Sequence, residues 1–432
     1  MLSKEDNEAL TRVGPGTIMG DLMRQYWLPF AYSSEVERDG PPQRVRLLGE
    51  DMILFRDSDG KLGLLGANCP HRGAGLFFGR NEEEGLRCVY HGWKFSVDGR
   101  CVDMPNEPPE SNFKDKVRAI GYCAAEQGGV IFGYMGPRRD NPPPLPEFEW
   151  AHVPESHVVH EYKSVQRCNW MQALEGDVDT AHVFFLHARL NSEIGGGPGV
   201  FHQDRAPKLF LTESEAGLLY GASRVERPGE NYWRTTQFLM PVYTLFPPTE
   251  PSLQNLHIWV PIDDEHTLTW GLRWHPAEPI QSRNLVGGGV GLMLPEQKGK
   301  PYANSWPEAN PDNDYQLDRE VQRTQSFTGI PTIRMQDGAM TTSMGKIFDR
   351  TKEHLGTTDA AIIKTRQRFL RAARALRADG TPPPGADRPE LYRVRSCTAV
   401  LPESADWRTA LEDWHMARTT EISAAQAASP VR

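Results

Sequence analysis

Two short loops of this chain each bring one cysteine and one histidine together within a few residues. The first loop reads CPH from position 69, and the second reads CVYH from position 88. Together they offer four metal-binding side chains: Cys69, His71, Cys88 and His91. Two thiolates and two imidazoles fit either a tetrahedral zinc ion or a [2Fe–2S] cluster with two Cys on one iron and two His on the other.

The residues around the loops favour the cluster. Small residues follow His71 and His91, so backbone amides can approach the sulfurs, and a nearby aromatic residue can shield the site. The phrases CPHRGA and CVYHGWKF resemble the complete Rieske signature. High-potential respiratory Rieske proteins carry an extra cysteine in each loop, but Ala74 and Tyr90 stand at those places here, which predicts a low-potential cluster without a loop disulfide. The remaining cysteines lack CxxC spacing and are interpreted as reduced packing thiols: Cys101, Cys123, Cys168 and Cys397.

A second group of metal-binding residue types lies in DTAHVFFLH, positions 179–187. On a helix, His182 would share a face with Asp179, and His187 would lie slightly off that face, so a distortion or helix end would let both imidazoles meet one ion. Two histidines and a distant carboxylate form the facial triad of non-haem Fe(II) oxygenases, which leaves positions open for O2. Taken alone, the histidines would be interpreted as core residues; beside the cluster loops, they indicate an iron site.

Three downstream aspartates are candidates for the carboxylate ligand: Asp337, Asp349 and Asp359. Asp349 lies beside Arg350 and close to Lys352, which predicts an ion pair. Asp359 fits the N-cap of a helix that begins at about residue 360. We therefore predict that Asp337 is the third iron ligand.

The composition excludes several classes of function. The 432 residues carry a formal net charge of −9 and no block rich in Lys and Arg, so nucleic acid is not an expected partner. The first residues are polar and predict no secretory signal. No run of about 18 apolar residues occurs, so no membrane span is expected. These features predict a cytoplasmic protein.

Hydrophobic periodicity divides the chain into a β-rich N-terminal part and a larger α+β part. Short alternating segments up to residue 134 predict an antiparallel β module with the cluster loops at one end. A proline-rich stretch then marks a boundary, because repeated proline excludes helix and central strand. We predict four units: an N-terminal helical segment (1–26) packed on the catalytic domain, the [2Fe–2S] domain (27–140), the catalytic domain (147–418) and a flexible tail (419–432).

The catalytic part is predicted to combine an antiparallel sheet with long helices in a helix-grip-like α+β fold. Helices are expected over 169–187 and 359–377, and the arginines of the second helix are interpreted as a solvated face. Strands are expected between 218 and 274. The polar stretch 297–315 predicts a long loop, either a substrate lid or an exposed insertion.

The resemblance extends beyond the two metal motifs over most of the chain. The chain resembles the oxygenase α-subunits of Rieske non-haem iron aromatic ring-hydroxylating enzymes, and more narrowly the phthalate dioxygenase subfamily. Further segments with this similarity lie at 11–20, 168–179, 232–234, 260–264 and 349–356. The resemblance implies that the four loop residues hold the cluster and that His182, His187 and Asp337 hold the mononuclear iron. It also implies that Asp179 bridges His182 to cluster ligand His91 of a neighbouring subunit, in a homotrimer or a trimer-based hexamer.

By the same resemblance the chain is expected to be a terminal oxygenase. A separate reductase with FMN and its own [2Fe–2S] centre would deliver NAD(P)H electrons to the cluster, and Fe(II) would use O2 to cis-dihydroxylate a phthalate-, isophthalate- or benzoate-like aromatic carboxylate. No flavin or nicotinamide motif stands out in this chain. Two alternatives stay open: a monooxygenase or O-demethylase acting on a lignin-type or other aryl acid or ether, and an electron carrier without oxygenase activity.

An aromatic carboxylate needs a positively charged partner in an apolar pocket, because a planar guanidinium pairs well with a carboxylate. The candidates in the strand-rich part are Arg205, Lys208, Arg224 and Arg234. Arg205 is adjacent to Asp204 and would also pair with it. Arg224 and Arg234 flank apparent strands. Their side chains could equally lie on the outer face of the sheet and not in a substrate pocket.

Overall fold

The computed structural model describes residues 1–190, 206–247, 253–281 and 291–417. The predicted tail (419–432) lies outside these residues. The described chain forms two antiparallel β domains whose largest buried cluster of apolar side chains runs continuously from one to the other. This architecture confirms the predicted α+β class.

The N-terminal domain contains two antiparallel sheets. The six-stranded sheet has the order β1-β10-β9-β4-β3-β2, and the four-stranded sheet has the order β5-β6-β7-β8. The smaller sheet carries the second cluster loop and has its own apolar core, in which Leu86, Trp93 and Phe95 are buried. The ten strands are β1 Trp27–Tyr32, β2 Gln43–Leu47, β3 Glu50–Arg56, β4 Leu62–Gly66, β5 Arg80–Glu82, β6 Gly85–Arg87, β7 Lys94–Phe95, β8 Cys101–Asp103, β9 Gly121–Gln127 and β10 Val130–Tyr134.

The C-terminal domain is built on one large antiparallel sheet in the order β11-β17-β16-β15-β14-β13-β12, with β18 also paired to β14. The central strand β16 is buried along its whole length, because helices cover one face and the N-terminal domain packs nearby. The strands are β11 Val158–Gln166, β12 Lys208–Glu213, β13 Gly217–Arg227, β14 Glu230–Leu239, β15 Tyr243–Phe246, β16 Gln254–Pro261, β17 Thr267–Trp274 and β18 Cys397–Pro402.

Seven α-helices are assigned in the described residues: α1 Lys4–Thr11, α2 Ile18–Met23, α3 Trp170–Val178, α4 Arg319–Thr324, α5 Ile333–Ser343, α6 Ala360–Asp379 and α7 Trp407–Ala410. Helix α3 lies over β15 and β16 and contacts α5, and the N-terminal helices α1 and α2 lie against α6. The long helix predicted over 359–377 is therefore present as α6.

The helix predicted over 169–187 is wrong beyond Val178. Asn169 caps the start of α3 by accepting a hydrogen bond from the Met171 N–H (3.1 Å), and Asp179 already has extended backbone angles at the other end. The Asp179 carboxylate accepts a hydrogen bond from the Ala181 N–H (2.6 Å). This backbone N–H therefore bonds to a side chain and not to a carbonyl one turn earlier, as it would in a continuing helix. Only one short 3₁₀ turn, His182–Phe184, follows.

The segment 297–315 is packed against both domains. The Tyr302 hydroxyl donates to the carbonyl of Arg46 on β2 (2.7 Å), and the Tyr315 hydroxyl lies 2.9 Å from the Thr342 hydroxyl on α5. Both tyrosine side chains are buried. The segment therefore forms part of the wall between the domains.

The arginines of α6 do not all lie on a solvated face, so that interpretation was wrong for the buried ones. The Arg366 side chain is 4% exposed and pairs with Glu175 of α3 and with Glu353. Arg350 also pairs with Glu175, at 2.9 Å. Burial alone would raise the pKa of Glu175, but the two guanidinium groups outweigh it and lower that pKa. This network fixes α3, and with it the start of the 179–187 segment, to α6.

Replacement of Arg366 by Met is expected to destabilise the protein by about 3–5 kcal/mol, because it removes the partner of Glu353 and one of the two guanidinium partners of Glu175. The thermal midpoint of unfolding, followed by circular dichroism, should fall by about 3–6 °C. Arg371→Met on the same helix is the matched control, since the Arg371 side chain is 58% exposed and its loss should change stability by about 0.5 kcal/mol or less. Equal midpoints for the two variants would contradict a stabilising network.

Candidate metal centres

The two cluster loops have the same backbone construction. In the first, the Gly73 N–H donates to the Cys69 carbonyl at 2.9 Å, and in the second, the Gly92 N–H donates to the Cys88 carbonyl at 3.0 Å. Both glycines have positive φ, 75° and 79°, a conformation that glycine adopts without steric cost. Each loop therefore turns back tightly on its cysteine.

The loops bring the two cysteines together and the two histidines together. The Cys69 and Cys88 thiols are buried and lie close enough to interact. The rings of His71 and His91 are 4.5 Å apart between centroids, and His71 stacks on Trp93 at 4.3 Å. A buried thiol pair and a partly exposed imidazole pair match a cluster that has Cys ligands on one iron and His ligands on the other.

The donor spacing separates the cluster from a single zinc ion. Among the described residues, one group of His, Cys, Asp or Glu side chains has three donor atoms within 4.8 Å of one another, and this group contains no loop residue. The four loop side chains therefore do not converge on one point, as tetrahedral zinc would require.

A third segment covers the cluster loops, and sequence reasoning missed it. Asn106 accepts a hydrogen bond from the Trp93 indole N–H (2.7 Å). A Cβ atom added at Gly92 would lie 2.7 Å from Pro105, so this covering segment also restricts position 92 to glycine. The signal in the sequence was the proline-rich phrase MPNEPP that begins at Met104.

The second group of predicted ligands also meets in the structure. The Nε2 atoms of His182 and His187 are 3.2 Å apart, and Oδ1 of Asp337 lies 3.2 Å from the His187 Nε2 and 3.7 Å from the His182 Nε2. Two ligand atoms each about 2.1 Å from an ion and at right angles are about 3.0 Å apart. The three residues therefore fit one face of an octahedral iron site, with the other positions open.

Helix α5 positions the carboxylate. The Thr332 side chain caps α5 by accepting the Met335 N–H (3.2 Å), and Asp337 lies in the following turn. Arg334, one turn earlier, donates from Nη1 to Asp337 Oδ2 (3.2 Å), which leaves Oδ1 directed at the histidines. Burial alone would raise the pKa of Asp337, but the hydrogen bond with His187 and the charge of Arg334 lower it well below its usual range. Asp337 is therefore ionised, as a ligand must be.

Asp179 lies beside the proposed iron ligand His182. Its Oδ2 is 3.5 Å from the His182 Nδ1, and its Oδ1 accepts the Ala181 N–H. Burial opposes ionisation, but the His182 side chain and the backbone N–H groups of residues 181 and 182 lower the pKa of Asp179. Within the described residues of a single chain, Asp179 has no contact with His91. The role of bridge between subunits stays a prediction.

Two further residues near these ligands were missed because nothing in the local sequence marks them. The buried Asp177 accepts a hydrogen bond from the His257 Nδ1 (2.8 Å) and another from the Thr244 hydroxyl. Gln336, adjacent to Asp337, accepts from the His187 Nδ1 (2.7 Å) and donates to the Ile330 carbonyl (2.9 Å). The Gln336 contact fixes the His187 tautomer, which leaves Nε2 free for the metal.

Gln336→Leu is expected to weaken binding of the mononuclear iron by about 10–100-fold, the usual cost of losing the partner that orients a histidine ligand. Gln336→Glu keeps an acceptor for the His187 N–H and should retain most of the affinity. Titration of iron-depleted protein with Fe(II) measures both variants, and the cluster absorbance serves as an internal reference. Equal affinities for wild type and Gln336→Leu would remove this residue from the site.

The structure separates the four candidate substrate-binding residues. Arg205 lies outside the described residues. Lys208 is exposed at the start of β12. Arg234 is partly buried on β14, and burial lowers its pKa. Arg224 on β13 is 1% exposed, and its Nη2 donates to the Thr180 carbonyl (3.3 Å), beside the proposed iron ligands.

Comparisons with known proteins agree with this architecture. The family model described as Rieske [2Fe-2S] domain matches residues 26–119, and the model described as LigXa C-terminal domain like matches residues 133–428. The chain is 41% identical to the 3-chlorobenzoate-3,4-dioxygenase oxygenase subunit of Comamonas testosteroni, covering 95% of this chain and 98% of that protein. It is 38% identical to the phthalate 4,5-dioxygenase oxygenase subunit of Pseudomonas putida, covering 94% of each chain.

A solved structure has the same fold. The NdmA QL mutant of Pseudomonas putida CBB5 with theobromine superimposes with a TM-score of 0.60 at 16% identity, over 89% of this chain and 98% of that one. The chain therefore belongs to the Rieske non-haem iron ring-hydroxylating oxygenase α-subunits, in the phthalate dioxygenase subfamily.

This membership settles the class of reaction. The protein is a terminal oxygenase that uses a [2Fe–2S] cluster, a mononuclear iron and O2, and as a subunit of a multicomponent system it needs a separate electron-donating partner and forms oligomers. The electron-carrier alternative is therefore set aside. None of the six cysteines, all of which lie in the described residues, forms a disulfide. No helix in the described ranges is long and apolar enough to cross a membrane.

Proposed function

We propose that this oxygenase cis-dihydroxylates the ring of an aromatic carboxylate of the benzoate, phthalate or isophthalate type. The observation that carries the proposal is the buried guanidinium of Arg224 beside the segment that supplies His182 and His187. Its Cζ lies 4.4 Å from the Phe184 ring centroid, so the charge sits against an apolar aromatic wall. A planar guanidinium in such surroundings pairs favourably with an aromatic carboxylate. The names of the two relatives, which act on a chlorobenzoate and on phthalate, support the same substrate class.

The proposed roles of the chain's own residues follow from their positions. Cys69, His71, Cys88 and His91 hold the cluster. His182, His187 and Asp337 hold the iron, which when bound supplies the activation of O2. In this assignment Arg334 keeps one carboxylate oxygen of Asp337 occupied, and Gln336 keeps the His187 Nε2 free of a proton.

The reaction balances with two electrons from the partner. The arene, O2, NAD(P)H and one proton give the cis-dihydrodiol and NAD(P)+, and both oxygen atoms of O2 enter the product. In this proposal the electrons arrive through a reductase that carries FMN and a [2Fe–2S] centre. They reach the iron across a subunit interface in a homotrimer or trimer-based hexamer, where Asp179 of one subunit meets His91 of the next.

The proposal is tested by a panel of single-ring acids with a surrogate reductase. Benzoate, phthalate, isophthalate and 4-methoxybenzoate are incubated with the iron-loaded enzyme, and products are identified by mass spectrometry. A cis-diol from at least one acid, with one NAD(P)H consumed per product, is the expected result. Formaldehyde and a phenol from the methoxy acid, without a diol from any member, would replace the proposal with O-demethylation.

A further inference from the structure

A cavity of about 530 Å³ lies on the side of α5 that faces the segment 291–315. Its walls come from three parts of the C-terminal domain: Ser164 and Gln166 of β11, Trp306 and Tyr315 of the packed segment, and Met335 and Gly338 of α5. The volume is within the range of small-molecule sites, about 300–1,000 Å³. Of the predicted substrate-binding residues that the structure describes, Lys208, Arg224 and Arg234, none lines it.

Arg334 connects this cavity with the proposed iron site. It lines the cavity, and its side chain is buried, with 6% of the residue exposed. Its Nη1 donates to Asp337 Oδ2, whereas its buried Nε has no hydrogen-bond partner among the residues that the structure describes. The guanidinium lies 5.3 Å from the Tyr162 ring centroid and 4.8 Å from that of Trp259. A buried arginine N–H group without an acceptor costs free energy, and a ligand that supplies an acceptor to the guanidinium offsets part of that cost.

The charges around the cavity favour an anion. Within the described part of the chain, three cationic side chains line it, Arg167, Lys300 and Arg334, against one carboxylate, Asp312. Asp312 is paired with Arg167, and Arg334 is paired with Asp337, which is not among the residues that line the cavity. The walls also suit an aromatic ring, because the Trp306 ring lies on the cavity and Lys300 Nζ is 4.3 Å from its centroid.

We propose that this cavity, the Arg334 cavity, is a second binding site for an aromatic monocarboxylate, with Arg334 as the anchor of the carboxylate. The choice of ligand class rests on the proposed function, whereas the existence of an anion site rests on the cavity itself. The ligand's carboxylate pairs with the guanidinium of Arg334, which lines the cavity, and Trp306 contacts the ring. Because one guanidinium faces both the cavity and Asp337, the site adjoins the iron-binding carboxylate without using the iron.

Isothermal titration of the iron-loaded, full-length enzyme with benzoate tests the site. Wild type is expected to bind two benzoates per chain, one near Arg224 and one in the Arg334 cavity. Arg334→Gln should bind one. Lys300→Gln, an exposed change at the cavity, should keep two sites and weaken one of them by at least threefold. Lys298→Gln removes another exposed charge two residues away that does not line the cavity, and this variant should behave as wild type.

The outcomes separate this site from the proposed function. In one outcome, wild type binds a single benzoate per chain, and this binding is lost in Arg334→Gln and weakened in Lys300→Gln. That result would support the cavity site and contradict carboxylate binding near Arg224. One benzoate per chain that survives both changes would overturn the cavity site and leave the proposed function standing. If Arg334→Gln does not fold, the comparison of Lys300→Gln with Lys298→Gln decides, and identical titrations reject the site. Benzamide, which has the same shape without the charge, should not occupy the cavity.

Discussion

Replacement of Asp179 by Asn is expected to leave both metal centres loaded and to reduce coupled turnover by about 100-fold, the upper end of the usual cost of losing the partner of a histidine ligand. The substitution keeps the size of the side chain but removes its negative charge and one acceptor. In the structure this carboxylate is ionised and lies 3.5 Å from the His182 Nδ1. In the proposed assembly the same carboxylate also meets a cluster histidine of the neighbour, so its loss disconnects the two centres while each keeps its own ligands.

The measurement combines metal analysis with turnover. Iron and sulfide content should match wild type, three irons per chain in the proposed assignment, and the cluster should still be reduced by the partner reductase. Re-oxidation of the pre-reduced cluster in the presence of substrate and O2 should be slow. Asp59→Asn, at an exposed carboxylate paired with Lys61, is the matched control and should turn over normally. Near-normal turnover by Asp179→Asn would remove the bridge from the mechanism.

Asp337→Ala is expected to eliminate the mononuclear iron and with it all product formation. Loss of an orienting partner already costs about 10–100-fold in metal affinity, and loss of a ligand should cost more. The change also leaves Arg334 without its ion-pair partner, so it removes charge compensation at a buried site. Iron analysis should fall from three to two per chain, with the cluster spectrum unchanged.

Asp349→Ala provides the comparison, because Asp349 was the alternative ligand candidate in the sequence. In the structure Asp349 accepts hydrogen bonds from the Thr351 N–H and hydroxyl and pairs with Lys352, whose side chain is 79% exposed. It belongs to no group of donor atoms that would bind a metal among the described residues. Its replacement should therefore retain three irons per chain. If Asp349→Ala loses one iron per chain while Asp337→Ala keeps all three, Asp349 and not Asp337 is the ligand.

The sequence alone points to most of the candidate ligands, because the pattern that marks them is local. A cysteine and a histidine within one tight loop can be recognised without the fold, and the same is true of two histidines near an aspartate. Asp337 was harder, since its partner His187 is 150 residues earlier in the chain. Ordinary roles for Asp349 and Asp359 favour Asp337 by elimination, and the structure places Asp337 against both histidines.

What the sequence did not reveal depends on contacts made by the folded chain. Periodicity continued the helix through residue 187, but the carboxylate of Asp179 captures a backbone N–H and α3 ends at Val178. Arginines spaced along α6 looked solvated, yet Arg366 faces Glu175 of a distant helix. Gln336 and Arg334 acquire their roles only because α5 brings them beside His187 and Asp337.

The measurement that most directly tests the central claim is the fate of ¹⁸O2 with the best acid of the substrate panel. Dihydroxylation of the ring predicts a cis-diol in which both hydroxyl oxygens carry ¹⁸O, with one NAD(P)H consumed per molecule. A product with a single ¹⁸O atom and no diol would contradict the account, because it would show that the same iron site acts as a monooxygenase on that substrate.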